Sequence, residues 1–94
     1  MNIRRLVLDV DKAVSRPSII EIAKALDKCV GVEAVNITVG EIDIETVGMD
    51  ISIEGENLNY EQIASAIEAT GAVVHSIDEL VCGERIIDRI KRVR

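Results

Sequence analysis

The feature that most constrains this chain is a change of phase at Gly40. In Val35-Asn36-Ile37-Thr38-Val39 the apolar residues fall on odd numbers, whereas in Glu41-Ile42-Asp43-Ile44-Glu45 they fall on even ones. Strand side chains alternate with a period of two, so a slip of one residue turns a strand inside out unless the extra residue is absorbed as a bulge. Glycine suits that position. The stretch from Val32 to Glu56 therefore reads as two long strands joined by a turn near Thr46 to Gly48. The second strand alternates Met49, Ile51 and Ile53 with Asp50, Ser52 and Glu54. A pairing that keeps Ile44 opposite Met49 also sets Asp43 opposite Asp50.

The flanking segments have equally clear periods. Ile3 to Val10 sets Leu6, Leu8 and Val10 against Arg5, Val7 and Asp9, a strand with one apolar face. Pro17 fits the first turn of a helix, with Ser15 or Arg16 near the cap, and Ile19, Ile22, Ala23, Leu26 and Val30 recur at helical spacing up to Gly31. Asn59 with Gln62 three residues later has the spacing of a capping box. Tyr60, Ile63, Ala64 and Ile67 then mark the inner face of a second helix ended by Gly71, and Ala72 to Ile77 reads as a fourth strand. From Glu84 to Val93 the residues Ile86, Ile87, Ile90 and Val93 predict a final amphipathic helix or ordered tail.

This order, with right-handed crossovers and a hairpin between the middle strands, predicts an α+β, ferredoxin-like βαββαβ sandwich. The antiparallel sheet has strand order 4-1-3-2, both helices on one face and the other face open. Residues 1–83 form the domain and residues 84–94 a basic amphipathic tail.

Composition limits what such a domain can do. Ninety-four residues supply one modest core, and with Tyr60 as the sole aromatic that core must be aliphatic. A formal charge of −6 argues against nucleic acid, whose binding needs clustered Lys and Arg, and the lack of aromatics removes any stacking platform. Neither a signal peptide nor an apolar run of membrane-spanning length is evident, so a cytoplasmic protein without membrane contact is expected. Cys29 and Cys82 lie far apart with no CxxC, which fits small buried hydrophobes better than zinc ligands or a disulfide framework.

Several segments together resemble a known family. Ile3-Arg4-Arg5-Leu6-Val7-Leu8-Asp9-Val10, Gly31-Val32-Glu33 with Val35-Asn36-Ile37-Thr38, Ile53-Glu54-Gly55, and above all Val74-His75-Ser76-Ile77-Asp78-Glu79-Leu80-Val81 are similar to a small archaeal family described as a domain of unknown function, family number 211. The resemblance covers nearly the whole chain. It implies the ferredoxin-like fold, archaeal origin, ring-like homo-oligomers and binding of cations such as calcium. It brings no catalytic residues.

The predicted open face receives Val7, Asp9, Glu41, Asp43, Glu45, Asp50, Ser52 and Glu54. The end of the first strand lies beside the start of the third, which brings Asp9 toward Asp50 with Asp11 just beyond. Like charges directly opposite destabilise a sheet by roughly 0.2–1 kcal/mol per pair, so an acidic row invites a counter-charge. A hard cation is one candidate, with Asp9, Asp11, Glu41, Asp43, Glu45 and Asp50 as its carboxylates. Calcium tolerates such irregular oxygen sites, magnesium is stricter, and zinc would ask for His or Cys. The tail is another: residues 84–94 carry five basic and two acidic residues, a net +3, against −9 for the body with its 6 basic and 15 acidic residues. Its contact could be with its own sheet or with a neighbouring subunit. An ordinary solvated face is the third.

His75 is the tempting catalytic residue, but strand neighbours point to opposite faces, so His75 and Ser76 cannot form a nucleophile-base pair on one surface. No glycine-rich phosphate loop exists, and no organic cofactor is expected. The reading is a non-enzymatic homo-oligomeric module that binds calcium or magnesium. The alternative is a small-molecule-sensing regulatory domain with ligand bound between subunits; a metal-assisted hydrolase using the same carboxylates comes third.

Overall fold

The computed structural model describes residues 1–90. The elements are β1 (Ile3–Ala13), α1 (Ile19–Asp27), β2 (Val32–Ile42), β3 (Thr46–Gly55), α2 (Tyr60–Ala69) and β4 (Val73–Cys82). All strand pairs are antiparallel and the order is β2-β3-β1-β4, the predicted ferredoxin-like arrangement. Leu6, Leu8 and Val10 of β1 with Met49, Ile51 and Ile53 of β3 line the inner face of the two central strands, under Ile22 and Leu26 of α1 and Ile63 and Ile67 of α2. Each of these side chains is essentially excluded from solvent. Full burial of one such aliphatic group contributes about 1.5–3 kcal/mol, so this two-layer core dominates stability.

Local chemistry sets the helix ends. Ser18, one residue after Pro17, caps α1: its hydroxyl accepts from the Glu21 amide at 3.1 Å, and the Glu21 carboxylate accepts from the Ser18 amide at 3.3 Å. The helix thus starts after Pro17, not on it, and it closes at Asp27, short of the expected Val30. Asn59 caps α2 by accepting from Gln62 N. The return half of that expected capping box is absent, because Gln62 Oε1 accepts instead from Val30 N at 3.2 Å and ties α2 to the end of α1. Gly31 has φ +84°, and a Cβ there would collide with Glu56 O, as one on Gly55 would with Gly31 O. Two glycines are needed where β2 enters beside the end of β3.

The bulge sits at Gly40 as predicted, but the turn does not sit at Thr46 to Gly48. Val39 pairs with Met49, Glu41 with Gly48 and Ile42 with Val47, so the chain reverses through Ile44-Glu45 and β3 begins at Thr46. Absorbing Gly40 keeps Val35, Ile37, Val39 and Ile42 on one face, which leaves Ile44 as a turn residue rather than a partner of Met49. A pairing of Ile44 with Met49 would set Ile42 and Ile44 on the core face, but they are 75% and 91% exposed. The physical reason is length. A nine-residue helix spans about 14 Å and an eleven-residue strand about 36 Å. The helical layer cannot cover the far end of the hairpin at the sheet's edge.

Residues 84–90 contain no helix, so the helical form of the predicted tail is not found there; its last four residues lie outside the described residues. The segment leaves β4 through Gly83, whose N–H donates to Asn2 O and whose carbonyl accepts from Arg4 Nε at 2.7 Å. It then returns over the open face: Val81 is only 5% exposed although it lies outside the core cluster, in a hollow lined also by Ile87, Asp88 and Ile90.

Candidate functional site

From Arg5 to Asp11 the odd-numbered residues of β1 point to the open face, and their partners define two halves. At the lower half, where β1 begins, Arg5 lies opposite Glu54. Its Nε and Nη2 both approach Glu54 Oε2 at 2.8 Å, and its Nη1 lies 3.3 Å from Glu79 and 2.7 Å from Asp88 of the tail. One guanidinium therefore joins β1, β3, β4 and the tail, and these carboxylates raise its pKa, the Asp88 contact most. The tail's ion pair with the sheet thus has the sign opposite to expectation among the described residues: an acid of the tail meets a base of the sheet.

The upper half has no such balance. Asp9 stands opposite Asp50, with Thr38 beyond Asp50 on β2 and Ser76 beyond Asp9 on β4. Two residues on, Asp11 pairs with Gly48, which pairs with Glu41. Gly48 carries no side chain, and the place where its Cβ would stand is 3.6 Å from Asp11 Oδ1 and 3.7 Å from Glu41 Cβ. Gly40 opens a similar space beside Asp50 Oδ2. Asp9, Asp11, Asp50 and Glu41 thus share one surface across three strands. Among the described residues, no Lys or Arg forms an ion pair with any of them.

Two of the six expected carboxylates fall elsewhere. Asp43 does not face Asp50, whose partner on β2 is Thr38. Asp43 belongs to the turn, where its amide donates to Thr46 O at 2.8 Å and its Oδ1 accepts from Ile44 N at 2.7 Å. Glu45 lies at the tip beside it. The hairpin register carries both away from the row. Among the described residues, no three His, Cys, Asp or Glu side chains converge closely enough to grip an ion as they stand.

His75 is on this surface, contrary to the alternation argument. β4 pairs Ser76 with Asp9 but Val74 with Val10, so His75 is the extra residue of a bulge. The bulge turns it to the open side, where Nδ1 lies 3.7 Å from Asp9 Oδ2. A second bulge at Asp78 lets its Oδ1 accept from the Ser76 hydroxyl at 2.7 Å, so this serine is engaged with Asp78 rather than with the imidazole.

The family model for the domain of unknown function number 211, described as uncharacterized ArCR, matches residues 4–94. The chain belongs to this family. An uncharacterized protein of Methanocaldococcus jannaschii is 44% identical over 89 residues, covering 95% of this chain and 91% of that one. Against that family membership the site stands as an acidic open face with a histidine at its rim. No helix among the described residues is long and apolar enough to cross a membrane.

Proposed function

We propose that this family member is a non-enzymatic, self-assembling module that holds a hard divalent cation, calcium before magnesium, on the upper half of its open face. The observation that supports the cation is Asp9 placed directly opposite Asp50, with Asp11 and Glu41 alongside. Like charges in that position repel, and a divalent ion turns the repulsion into attraction. The donors are all carboxylate oxygens, which suits a hard cation, and calcium accepts irregular geometry with water completing six to eight ligands. Asp9 and Asp50 would hold the ion, with Asp11 and Glu41 acting through water. Asp43 is committed to its own turn. The ion would supply charge balance across three strands.

Self-assembly is supported by apolar surface at both edges of the sheet: Ile42 and Ile44 at the hairpin end, and Ile77 and Leu80 of β4, which are 47% and 49% exposed. Calorimetric titration of the chelated protein with calcium tests the site. Wild type should bind, and Asp50→Asn should weaken binding at least about tenfold. Equal affinity in the two proteins would remove Asp9 and Asp50 from the proposal.

A further inference from the structure

Val81 is buried without belonging to the core. It lies across from Arg5 on the open face and outside the cluster that the helices cover. Its cover is the segment that follows β4: Ile87, Asp88, Arg89 and Ile90 border, with Glu79, Leu80 and Val81, a hollow of about 350 Å³. Close-packed interiors leave few voids larger than a water molecule, so this segment rests on the sheet without interlocking with it.

The attachment is slight. Ile87 and Ile90 remain 65% and 82% exposed, so each buries only a minor part of its side chain. Among the described residues, Asp88 makes the one side-chain hydrogen bond or ion pair between residues 84–90 and the sheet, 2.7 Å from Arg5 Nη1, and it is itself largely exposed. Exposed pairs contribute little and are screened by salt. Against these contacts stands the conformational entropy of a segment that no helix or strand holds. With terms so closely matched, docked and released forms lie near each other in free energy.

The sheet does not depend on its cover. Gly83 N–H donates to Asn2 O and Gly83 O accepts from Arg4 Nε, so the root of the segment stays fixed when its far part moves. Gly83 has φ +124° and open space around its Cβ position, which suits a pivot. Arg5 keeps Glu54 and Glu79 when Asp88 leaves, so release strands no charge in the sheet.

We infer that residues 84–90 form a strap that pivots on Gly83, held by Asp88 over the half of the open face around Arg5 and Val81, and released as ionic strength rises. Release uncovers Val81 and Nη1 of Arg5 and frees Ile87 and Ile90. The strap thereby decides whether this half of the sheet is available for contact. Asp9 and Asp50 lie in the other half, so the strap stands or falls independently of the cation site.

The test is the rate at which a thiol reagent modifies Val81→Cys in a Cys82→Ser background, at low and high salt, with and without Asp88→Ala, each protein first shown to be folded by circular dichroism. Cys29 is buried and reports global unfolding, and Cys82 of wild type is the exposed reference. The introduced thiol should react more slowly than Cys82 and faster than Cys29. Asp88→Ala should speed its reaction about two- to fivefold, the effect of losing one exposed ion pair. High salt should speed the parent by a similar factor and leave Asp88→Ala unchanged, which separates release of the strap from any effect of salt on the reagent. A rate equal to that of Cys82 at low salt would mean that no closed form exists. A rate equal to that of Cys29 in the parent and in Asp88→Ala alike would make the segment a fixed part of the fold. An intermediate rate that neither salt nor Asp88→Ala moves would remove Asp88 as the catch. Each of these overturns the inference. If Val81→Cys melts early, tryptic cleavage after Arg85 in wild type and Asp88→Ala, followed by mass spectrometry, makes the same comparison.

Discussion

Asp9 and Asp50 face each other across the two central strands, one row above Leu8 and Ile51 of the core. A sheet that places two carboxylates in register at its centre gives up stability there unless something else offsets the repulsion. Asp50→Asn in chelator should therefore leave the melting temperature unchanged or raise it, by an amount equivalent to about 0.2–1 kcal/mol. On the proposed site, added calcium should raise the melting temperature of wild type and leave that of this variant unchanged. A melting-temperature series with and without calcium checks both.

Arg5 is the converse case. Its side chain is 20% exposed and its removal leaves Glu54, Glu79 and Asp88 close together without their shared cation. Arg5→Met should destabilise by about 1–3 kcal/mol, in the range for lost charge-assisted hydrogen bonds, measured by urea denaturation. Asp88→Ala should cost only a few tenths of that, because Asp88 is 80% exposed and solvent screens the pair. Added salt should shrink the Asp88 effect further.

The cysteines divide by environment. Cys29 is buried and Cys82 exposed, so a thiol reagent should modify Cys82 quickly in the native protein and Cys29 only on unfolding. Burial raises the Cys29 pKa above its ordinary value of 9.0. The folded state therefore holds that proton more tightly than the unfolded state. Its stabilising effect is complete below pH 9.0 and declines as pH rises from there through the folded pKa. Cys29→Ala should flatten this alkaline slope in stability measured against pH.

Gly31 and Gly55 approach each other where β2 and β3 meet the loop to α2. Alanine at either position must displace backbone, and Gly31 also has a positive φ. Each substitution should cost at least about 2 kcal/mol, whereas Gly83→Ala, with open space around its Cβ position, should cost less despite its own positive φ.

Much of this architecture was legible because the core faces of β1 and β3 follow strict alternation and the second helix carries a clean stop at Gly71. The bulge at Gly40 could be read from the phase slip alone. The turn could not, because Ile44 sits where turn chemistry predicts a polar residue, and extending the strand through it shifted the register and misplaced Asp43. His75 was misread for a related reason: β4 has bulges at His75 and Asp78 that no phase slip among its own mixed residues announces. Arg5 was within reach. The predicted proximity of Asp9 and Asp50 implies, four residues away on each antiparallel strand, the pair Arg5 and Glu54.

The most direct measurement is a native mass spectrum of the protein, first after chelation and then with calcium added. The account predicts a discrete oligomer that gains a fixed number of calcium ions per subunit, with Asp50→Asn keeping the oligomer and losing the ions. A monomer that takes up no calcium in either condition would contradict it.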